Sequence, residues 1–299
     1  MTPSEIKSAL SRLGGGANKR LGQHFLIDQA ALEAVVESAS IKPGDRVLEV
    51  GPGLGVLTRE LLDRGADVVA IEQDRRFVEY LRGKEGVRVI HGDAASVHWH
   101  ELIGEGTWKF VSNLPYGITS LALRKALWAP KPPEVVSVLV QREVAERAVA
   151  LTPSSSPFAR GRAKGSLLSL MVALASSSAR IVRRVPPGAF YPPPKVESAV
   201  LQIVPMSWEE RRKKWGIEPE KIMEVAKKGF AHPRKLLASN LKSAGMPEGG
   251  HRGPPLREQN VPVNTGAFLY GVILYRKACI YCILSTERRI GFSHVEKPC

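Results

Sequence analysis

The most informative stretch of the sequence for the fold is RVLEVGPGLG, the ten residues from Arg46 to Gly55. The first five form a short apolar run typical of a buried β-strand, and glycines follow at every second position. Glycine at a strand-to-helix turn lets the backbone come close to a ligand and start the next helix tightly. The spacing is G-x-G-x-G, and Val56 stands where a nicotinamide dehydrogenase would have its third glycine. A tight turn without any ligand is the structural alternative.

Strand-like and helix-like segments alternate through the first half of the chain. The predicted strands cover residues 46–50, 67–71, 87–90, 110–111 and 135–140, and the predicted helices cover 54–62 and 74–82. Strands that alternate with helices indicate a parallel, doubly wound α/β sheet. Ligand sites in such sheets lie in the loops at the carboxyl ends of the strands.

Charge is distributed unevenly along the 299 residues, whose net charge is +14. Residues 1–150 hold 19 basic and 19 acidic side chains, whereas residues 151–240 hold 16 basic and 6 acidic ones. A charge run is often only a solvated face, but this concentration suggests a polyanionic partner. Nucleic acid is the first candidate, and an anionic membrane surface is the second.

The sequence carries no pattern of secretion or membrane insertion. The first twelve residues form a predicted amphipathic helix rather than a signal peptide, and the apolar run at 267–275 is too short to cross a bilayer. Cys279 and Cys282 have C-x-x-C spacing, but no second pair follows, so a zinc site is not expected. We expect a cytoplasmic protein without a membrane partner, acting as a monomer.

Two acidic residues close the next two predicted strands. Glu72 lies 21 residues after Gly51, where a carboxylate can accept hydrogen bonds from both ribose hydroxyls of a nucleoside. Asp93 closes the third strand, where it can accept a hydrogen bond from an adenine amino group. Each acid alone favours a helix cap or a solvated turn residue over a ligand group. Three suitable loops at successive strand ends favour a nucleoside site.

The segment Asn113-Leu114-Pro115-Tyr116 follows the predicted strand at 110–111. An adenine amino nitrogen is a poor nucleophile, because its lone pair is delocalised into the ring. The side-chain oxygen of Asn113 and the carbonyl of Leu114 are acceptors that could bind its N–H groups and concentrate that lone pair on nitrogen. Pro115 would fix the loop, and Tyr116 offers a face for stacking. An asparagine that caps a turn beside a core tyrosine is the structural alternative.

Together these residues identify a resemblance. The glycine loop, preceded by an acid, is similar to the first motif of S-adenosylmethionine-dependent methyltransferases. From about residue 17 to residue 245 the chain resembles the ribosomal RNA adenine N6,N6-dimethyltransferases, which modify two adjacent adenosines near the 3′ end of small-subunit rRNA. The matching motifs are Leu21-Gly22-Gln23-His24-Phe25-Leu26, Glu49 to Gly55, Glu72, Gly92-Asp93, Asn113-Leu114-Pro115-Tyr116 and Phe190 to Ser198.

The resemblance implies a Rossmann-like methyltransferase fold with a small C-terminal helical domain, and S-adenosylmethionine as cofactor. It implies that the cofactor contacts are His24 and Leu26 at the methionine, Gly51 and Gly53 in the loop, Glu72 at the ribose, Asp93 at the adenine, and Asn113. The implied catalytic residues are Asn113, Leu114, Pro115, Tyr116 and Phe190, with Phe190 as a second stacking face opposite Tyr116. The implied partners are small-subunit rRNA and the assembling small ribosomal subunit. No metal is implied.

Three regions follow from these observations. Residues 1–204 form the predicted catalytic domain with an N-terminal docking segment. Residues 205–248, with the basic run at 211–214 and a helix starting near His232, form a predicted basic RNA-binding domain. Residues 249–299 match no motif, and our hypothesis is a tail foreign to the fold, such as a frameshifted or read-through end.

Two other functions remain compatible with the motifs. Methyltransferases that act on large-subunit rRNA and confer antibiotic resistance share the asparagine motif and the glycine loop, although the residues at 23–26 and 230–241 favour the small-subunit enzyme. A catalytically idle ribosome assembly factor could use the same fold. The intact Glu72, Asp93, Asn113 and Tyr116 argue against idleness.

Overall fold

The computed structural model of the chain describes residues 1–18, 21–152, 166–216 and 218–229. The predicted helix near His232 and the tail at 249–299 lie outside the described residues. In the described ranges, no helix is long and apolar enough to span a membrane.

The described chain alternates strands and helices in its first half and ends in two helices. The strands are β1 (Phe25–Leu26), β2 (Arg46–Val50), β3 (Asp67–Glu72), β4 (Val87–His91), β5 (Lys109–Asn113), β6 (Val136–Gln141), β7 (Ser176–Val185), β8 (Phe190–Tyr191) and β9 (Ser198–Pro205). The helices are α1 (Pro3–Arg12), α2 (Gln29–Ser38), α3 (Val56–Asp63), α4 (Arg75–Arg82), α5 (Trp99–Ile103), α6 (Thr119–Leu127), α7 (Arg142–Val149), α8 (Leu167–Ala175), α9 (Trp208–Trp215) and α10 (Pro219–Gly229).

Seven strands form one sheet in the order β4-β3-β2-β5-β6-β9-β7. Strands β2 to β6 pair in parallel, as the alternating pattern predicts. The chain builds outward from β2 to β4, and then returns to the other side of β2 with β5 and β6. The strand order therefore reverses between β2 and β5, and ligands of open α/β sheets bind at such a switch point.

The far edge of the sheet departs from the all-parallel prediction. Strand β9 pairs antiparallel with both β6 and β7. The connection from β7 to β9, residues 186–197, contains no helix of the length that a crossover needs, so the chain returns alongside β7 in the opposite direction. The sheet is mixed, with five parallel strands that carry the predicted loops.

Both faces of the parallel strands are buried. In β2, Leu48 and Val50 belong to one apolar cluster and Val47 to another, because successive side chains point to opposite faces. The first cluster includes side chains from α6 to α8, and the second includes side chains from α2 and α3. Burial on both faces explains why these strands are continuous apolar runs.

The N-terminal segment docks beside the glycine loop. Helix α1 starts with a capping box, in which Thr2 and Glu5 bind each other's backbone N–H groups. Its buried face packs with Phe25, Leu54 and Phe77. Strands β1 and β8 form a separate two-stranded antiparallel sheet. The segment that precedes the sheet in sequence therefore closes over the switch point.

The basic run at 211–214 lies in helix α9, and its four side chains do not share one environment. Arg212, Lys213 and Lys214 are exposed, whereas Arg211 is fully buried. The charge pattern predicts one basic surface for the whole run, and for Arg211 that prediction is wrong. Helix α10 likewise contributes buried residues to the apolar cluster that contains Leu48 and Val50. The domain boundary at residue 205 stays a prediction.

Arg211 holds α9 against the sheet domain. Its Nε donates to the Met206 carbonyl at 2.9 Å, and its Nη2 donates to the Leu127 carbonyl at 2.7 Å. The guanidinium carbon lies 4.5 Å from the ring centroid of Trp208 and 5.9 Å from that of Trp128. Burial lowers the pKa of the guanidinium to about 10, which leaves it charged at neutral pH.

Replacing Arg211 should therefore destabilise the protein. Arg211→Ala removes a charged donor from two buried carbonyls and leaves a space beside two indole rings, and we expect a loss of about 2–4 kcal/mol of unfolding free energy. The exposed neighbour supplies a matched control, because Arg212→Ala should change it by less than about 0.5 kcal/mol. Urea unfolding followed by circular dichroism measures both. Equal effects of the two substitutions would contradict the structural role of Arg211.

Candidate active site

A cavity of about 400 Å³ lies at the carboxyl ends of β2 to β5, at the switch point of the sheet. Its volume is in the range of small-molecule and cofactor sites. Ten of the eleven residues predicted for the site line it, namely His24, Leu26, Gly51, Gly53, Glu72, Asp93, Asn113, Leu114, Pro115 and Tyr116. The topology thus brings together four loops that are far apart in sequence.

The glycine loop packs directly against the Asn113 loop. Gly51 has a φ of 71°, in the left-handed region that favours glycine. A Cβ atom at this position would lie 3.0 Å from Cγ of Pro115. Gly51 therefore allows the loops after β2 and β5 to approach each other across the switch point.

Glu72 ties the glycine loop to the start of α4. Its Oε2 accepts from the Gly53 N–H at 3.0 Å, and its Oε1 accepts from the Asp74 N–H at 2.8 Å. Each oxygen keeps further acceptor capacity for a ligand hydroxyl. Burial raises the pKa of this carboxyl, although the backbone N–H groups around it oppose the shift. Glu72 is thus both a structural link and a candidate ligand group.

Glu49 lies beneath the cavity and is almost fully buried. Its Oε2 accepts from the Thr58 hydroxyl at 2.7 Å. Burial raises the pKa of the Glu49 carboxyl to about 8; the Thr58 hydrogen bond opposes this shift, and the charge of Glu72 adds to it. At neutral pH Glu49 is therefore largely protonated, and it does not add a second negative charge beside Glu72.

Asp93 stands at the exposed rim of the cavity, after β4. Its Oδ1 accepts from the Ala95 N–H at 2.8 Å, so the residue closes its own turn. Closing the turn and binding a ligand are compatible roles, since one carboxylate oxygen serves the turn and the second remains for a ligand. Among the described residues, Oδ2 of Asp93 has no hydrogen-bond partner.

The side-chain amide of Asn113 has a determined orientation. Its Nδ2 donates to the His24 carbonyl at 3.2 Å, and a carbonyl can only accept. The amide oxygen must therefore point the other way, where it can accept hydrogen bonds. The neighbouring Leu114 donates its N–H to the Leu139 carbonyl at 3.1 Å, which anchors the loop to β6.

Tyr116 is half-buried at the mouth of the cavity. Its hydroxyl forms a 2.6 Å hydrogen bond with Oγ of Ser198, at the start of β9. Burial raises the pKa of the phenol, while the Ser198 hydrogen bond opposes that shift. The His24 ring stacks at a centroid distance of 5.7 Å, with 27° between the two planes. The tyrosine ring is therefore held at both its hydroxyl and its face.

Phe190 does not lie where the resemblance implied. Its side chain is 2% exposed and belongs to the apolar cluster that contains Val47, and it does not line the cavity. Strand β8 pairs it with Leu26, which turns the ring into the core. In this structure Phe190 supports the N-terminal segment, and its role as a second stacking face opposite Tyr116 stays a prediction.

One polar network at this site is not predicted by the sequence motifs. Gln23 Nε2 donates to Oδ2 of Asp74 at 2.9 Å, and Arg76 forms a 2.7 Å ion pair with the same oxygen. The Gln23 amide oxygen accepts from the Asn18 N–H at 2.7 Å. Asp74 thus joins the N-terminal segment to the residues that follow Glu72. Polar side chains 51 positions apart can be paired only once the fold is known.

The chain is similar to known proteins over most of its length. The family model described as ribosomal RNA adenine dimethylase matches residues 15–247. A ribosomal RNA small subunit methyltransferase A from Dehalococcoides mccartyi is 40% identical over 230 residues, which cover 75% of this chain and 74% of that protein. The enzyme of the same name from Deinococcus radiodurans is 37% identical over 279 residues and covers 88% of both chains.

Solved structures show the same architecture. A dimethyladenosine transferase from Plasmodium falciparum superposes with a TM-score of 0.60 at 24% identity, covering 86% of this chain and 90% of that one, and supports the fold. The 23S rRNA methyltransferase ErmE superposes with a TM-score of 0.55 at 26% identity, covering 73% of this chain and 84% of its own. The fold is α/β and of the Rossmann-like methyltransferase type.

The raised pKa of Glu49 predicts that stability depends on pH. A glutamate in water has an ordinary pKa of 4.5, whereas the pKa of Glu49 is about 8, so the folded protein holds a proton that the unfolded chain releases between these values. The stabilisation that this proton adds to the free energy of unfolding is complete below about pH 4.5. It is lost as the pH rises through about 8. We expect the unfolding free energy to fall over this window.

The substitution Glu49→Gln tests this dependence, because glutamine stays neutral throughout. Unfolding in urea between about pH 5 and pH 8.5 should give a clearly flatter profile for Glu49→Gln than for the parent protein. The exposed residue Glu33 provides the control, since Glu33→Gln should leave the slope unchanged. A parent slope retained in Glu49→Gln would show that Glu49 is not the group that titrates.

Proposed function

Because the chain belongs to the ribosomal RNA adenine dimethylase family, we propose that it dimethylates N6 of two adjacent adenosines near the 3′ end of small-subunit rRNA. The substrate would be the assembling small ribosomal subunit, so the reaction would be a step in ribosome biogenesis. One observation carries the proposal: the Asn113 amide donates to the His24 carbonyl, which leaves its oxygen as an acceptor inside a nucleoside-sized cavity.

The groups that line the cavity suit S-adenosylmethionine. Glu72 provides carboxylate oxygens for ribose hydroxyls, and Asp93 provides a free oxygen for an adenine amino group. Gly51 and Gly53 present backbone atoms to the cavity without a side chain, and Leu26 provides apolar contact. When bound, this cofactor supplies an electrophilic methyl group. His24, Gly51 and the other lining residues named above would hold it.

Asn113 and Leu114 would prepare the target nitrogen. The Asn113 side-chain oxygen and the Leu114 carbonyl would each accept one N–H of the adenine amine, which returns the lone pair to nitrogen. Both residues are anchored, Asn113 to the His24 carbonyl and Leu114 to β6, so little reorganisation is needed. The methylated amine is acidic and gives its proton to water, so the mechanism needs no strong general base.

Tyr116 would position the base by stacking. Its hydroxyl is fixed by Ser198 and its ring lies at the cavity mouth. After the first methylation the amine keeps one N–H, so only one of the two acceptors can still bind it. Stacking on Tyr116 must then carry more of the positioning in the second round. With Phe190 in the core, this role falls on Tyr116 rather than on a pair of rings.

RNA binding is proposed for the basic half of the chain. Exposed arginines lie on β7, and exposed basic residues lie on α9. Those on the two elements are Arg180, Arg183, Arg184, Arg212, Lys213 and Lys214, and Lys195 is exposed between β8 and β9. Phosphates of the substrate would supply the complementary charge.

Methylation of large-subunit rRNA is the second candidate, and the likeness to ErmE supports it. The curated relatives at 37–40% identity favour the small subunit, since they carry the name of small-subunit methyltransferases. An idle assembly factor would not need an oriented acceptor at Asn113, so the geometry favours catalysis.

The variant Asn113→Ala tests the function directly. It removes one of the two acceptors, and we expect the rate of both methylations to fall by at least about 100-fold, as for other groups that stabilise a transition state. Gln141→Ala is the matched control, because Gln141 ends the neighbouring strand β6 and does not line the cavity. It should stay within about threefold of the parent rate.

Single-turnover reactions on assembled small subunits, with mono- and dimethyladenosine separated by mass spectrometry, give both rates. Parallel reactions on large subunits distinguish the second candidate. Parent-rate dimethylation by Asn113→Ala would refute the mechanism. Modification of large subunits alone would assign the other substrate.

The exposed pair Arg212 and Lys213 tests the RNA surface. Neutralising both to alanine should lower RNA affinity and reduce the slope of log affinity against log salt by roughly 0.7–0.9 for each phosphate that the variant no longer neutralises. Neutralising the exposed pair Arg75 and Arg82 on α4 is the control for net charge. Filter binding at several salt concentrations measures the slopes. The same slope in all three proteins would show that the α9 pair is only solvated.

A further inference from the structure

The ammonium group of Lys125 is bound by three backbone carbonyls of a single loop. Nζ donates to Ala94 O at 2.8 Å, to Ala95 O at 2.8 Å and to Val97 O at 2.6 Å. A lysine has three N–H donors, so this one loop uses its whole hydrogen-bonding capacity. The loop is the one that begins with Asp93.

The 93–97 loop is closed from inside as well. Asp93 accepts from the Ala95 N–H through its side chain, and its carbonyl accepts from the N–H groups of Ser96 and Val97. These bonds turn the N–H groups inward, which leaves carbonyls facing outward to Lys125. The indole of Trp99 also donates to the Ala94 carbonyl at 3.0 Å. Without the ammonium, several of these carbonyls would lose a charged partner.

Lys125 lies on α6, the helix that follows the Asn113 loop. It is partly buried, and its Nζ lies 5.4 Å from the ring centroid of Trp99. The residue therefore spans from the element after the proposed target-base loop to the loop at the end of β4. Arg124, the preceding residue on α6, is exposed. Two adjacent cations thus have different environments.

We infer that Lys125 is a positioning residue that sets the Asp93 carboxylate for recognition of the 6-amino group of the cofactor base. By holding three carbonyls at once, it determines the conformation of the turn from which Asp93 projects. Lys125 itself does not line the cavity. This role rests on the proposed use of an adenosyl cofactor, and it adds a residue that belongs to none of the sequence motifs.

The test compares two ligands that differ at the atom concerned. S-adenosylhomocysteine carries the 6-amino group, and S-inosylhomocysteine carries an oxygen in its place. The parent protein should prefer the adenosyl ligand by about tenfold or more, the usual effect of losing a hydrogen bond to a charged group. Titration calorimetry on the full chain measures both dissociation constants and needs no RNA and no turnover.

Lys125→Met keeps the length of the side chain and removes the donors, and it should reduce the preference for the adenosyl ligand at least threefold. Arg124→Met removes an equal charge one residue away and should leave the preference unchanged. Asp93→Ala should abolish most of the preference, and adding Lys125→Met to it should have no further effect on the ratio, because Lys125 acts through Asp93.

A thermal melt accompanies each titration. If Lys125→Met does not fold, Lys125→Arg replaces it, since a planar guanidinium cannot direct three donors at the same carbonyls and should also lower the preference. An unchanged ligand ratio in the folded Lys125 variant would overturn the positioning role, even if both affinities fell together. Failure of the parent protein to bind either ligand would overturn the cofactor assignment itself.

Discussion

The site depends on the hydrogen bonds that the buried carboxylate of Glu72 accepts. It accepts from the backbone of the glycine loop at Gly53 and from the first residue of the α4 cap, Asp74. Asp74 in turn binds Gln23 of the N-terminal segment, so one carboxylate indirectly connects three walls of the cavity. Burial makes this arrangement costly for a charge, and the surrounding N–H groups offset the cost.

A second constraint is the approach of two loops across the switch point. Gly51 lies against Pro115, and no larger residue fits without displacing the proline ring. This packing places the glycine loop beside the loop that carries Asn113 and Tyr116. Donor and acceptor of the proposed methyl transfer would therefore be held by adjacent loops of a rigid sheet, and positioning would supply most of the catalysis.

The charge pattern becomes informative only when the structure shows which basic side chains are exposed and which are buried. The excess of basic residues after position 150 indicates a polyanionic partner, and exposed Arg212 and Lys213 fit that interpretation. Arg211 stands next to them in the sequence but is buried against two indole rings. Consecutive basic residues on a helix lie on both its buried and its exposed face. Only the packing of α9 shows which side chain lies on which face.

The parallel strands, the four loops at strand ends and the family could all be predicted from the sequence. Apolar runs buried on both faces and glycines at strand ends are local features, so they can be recognised without any neighbour. Strand β7 was not predicted, because the arginines on its exposed face resemble a charged loop. The antiparallel edge, the burial of Phe190, the orientation of the Asn113 amide and the three hydrogen bonds of Lys125 could be read only from the folded chain. Each of these depends on groups far apart in sequence, whose distance no local pattern encodes.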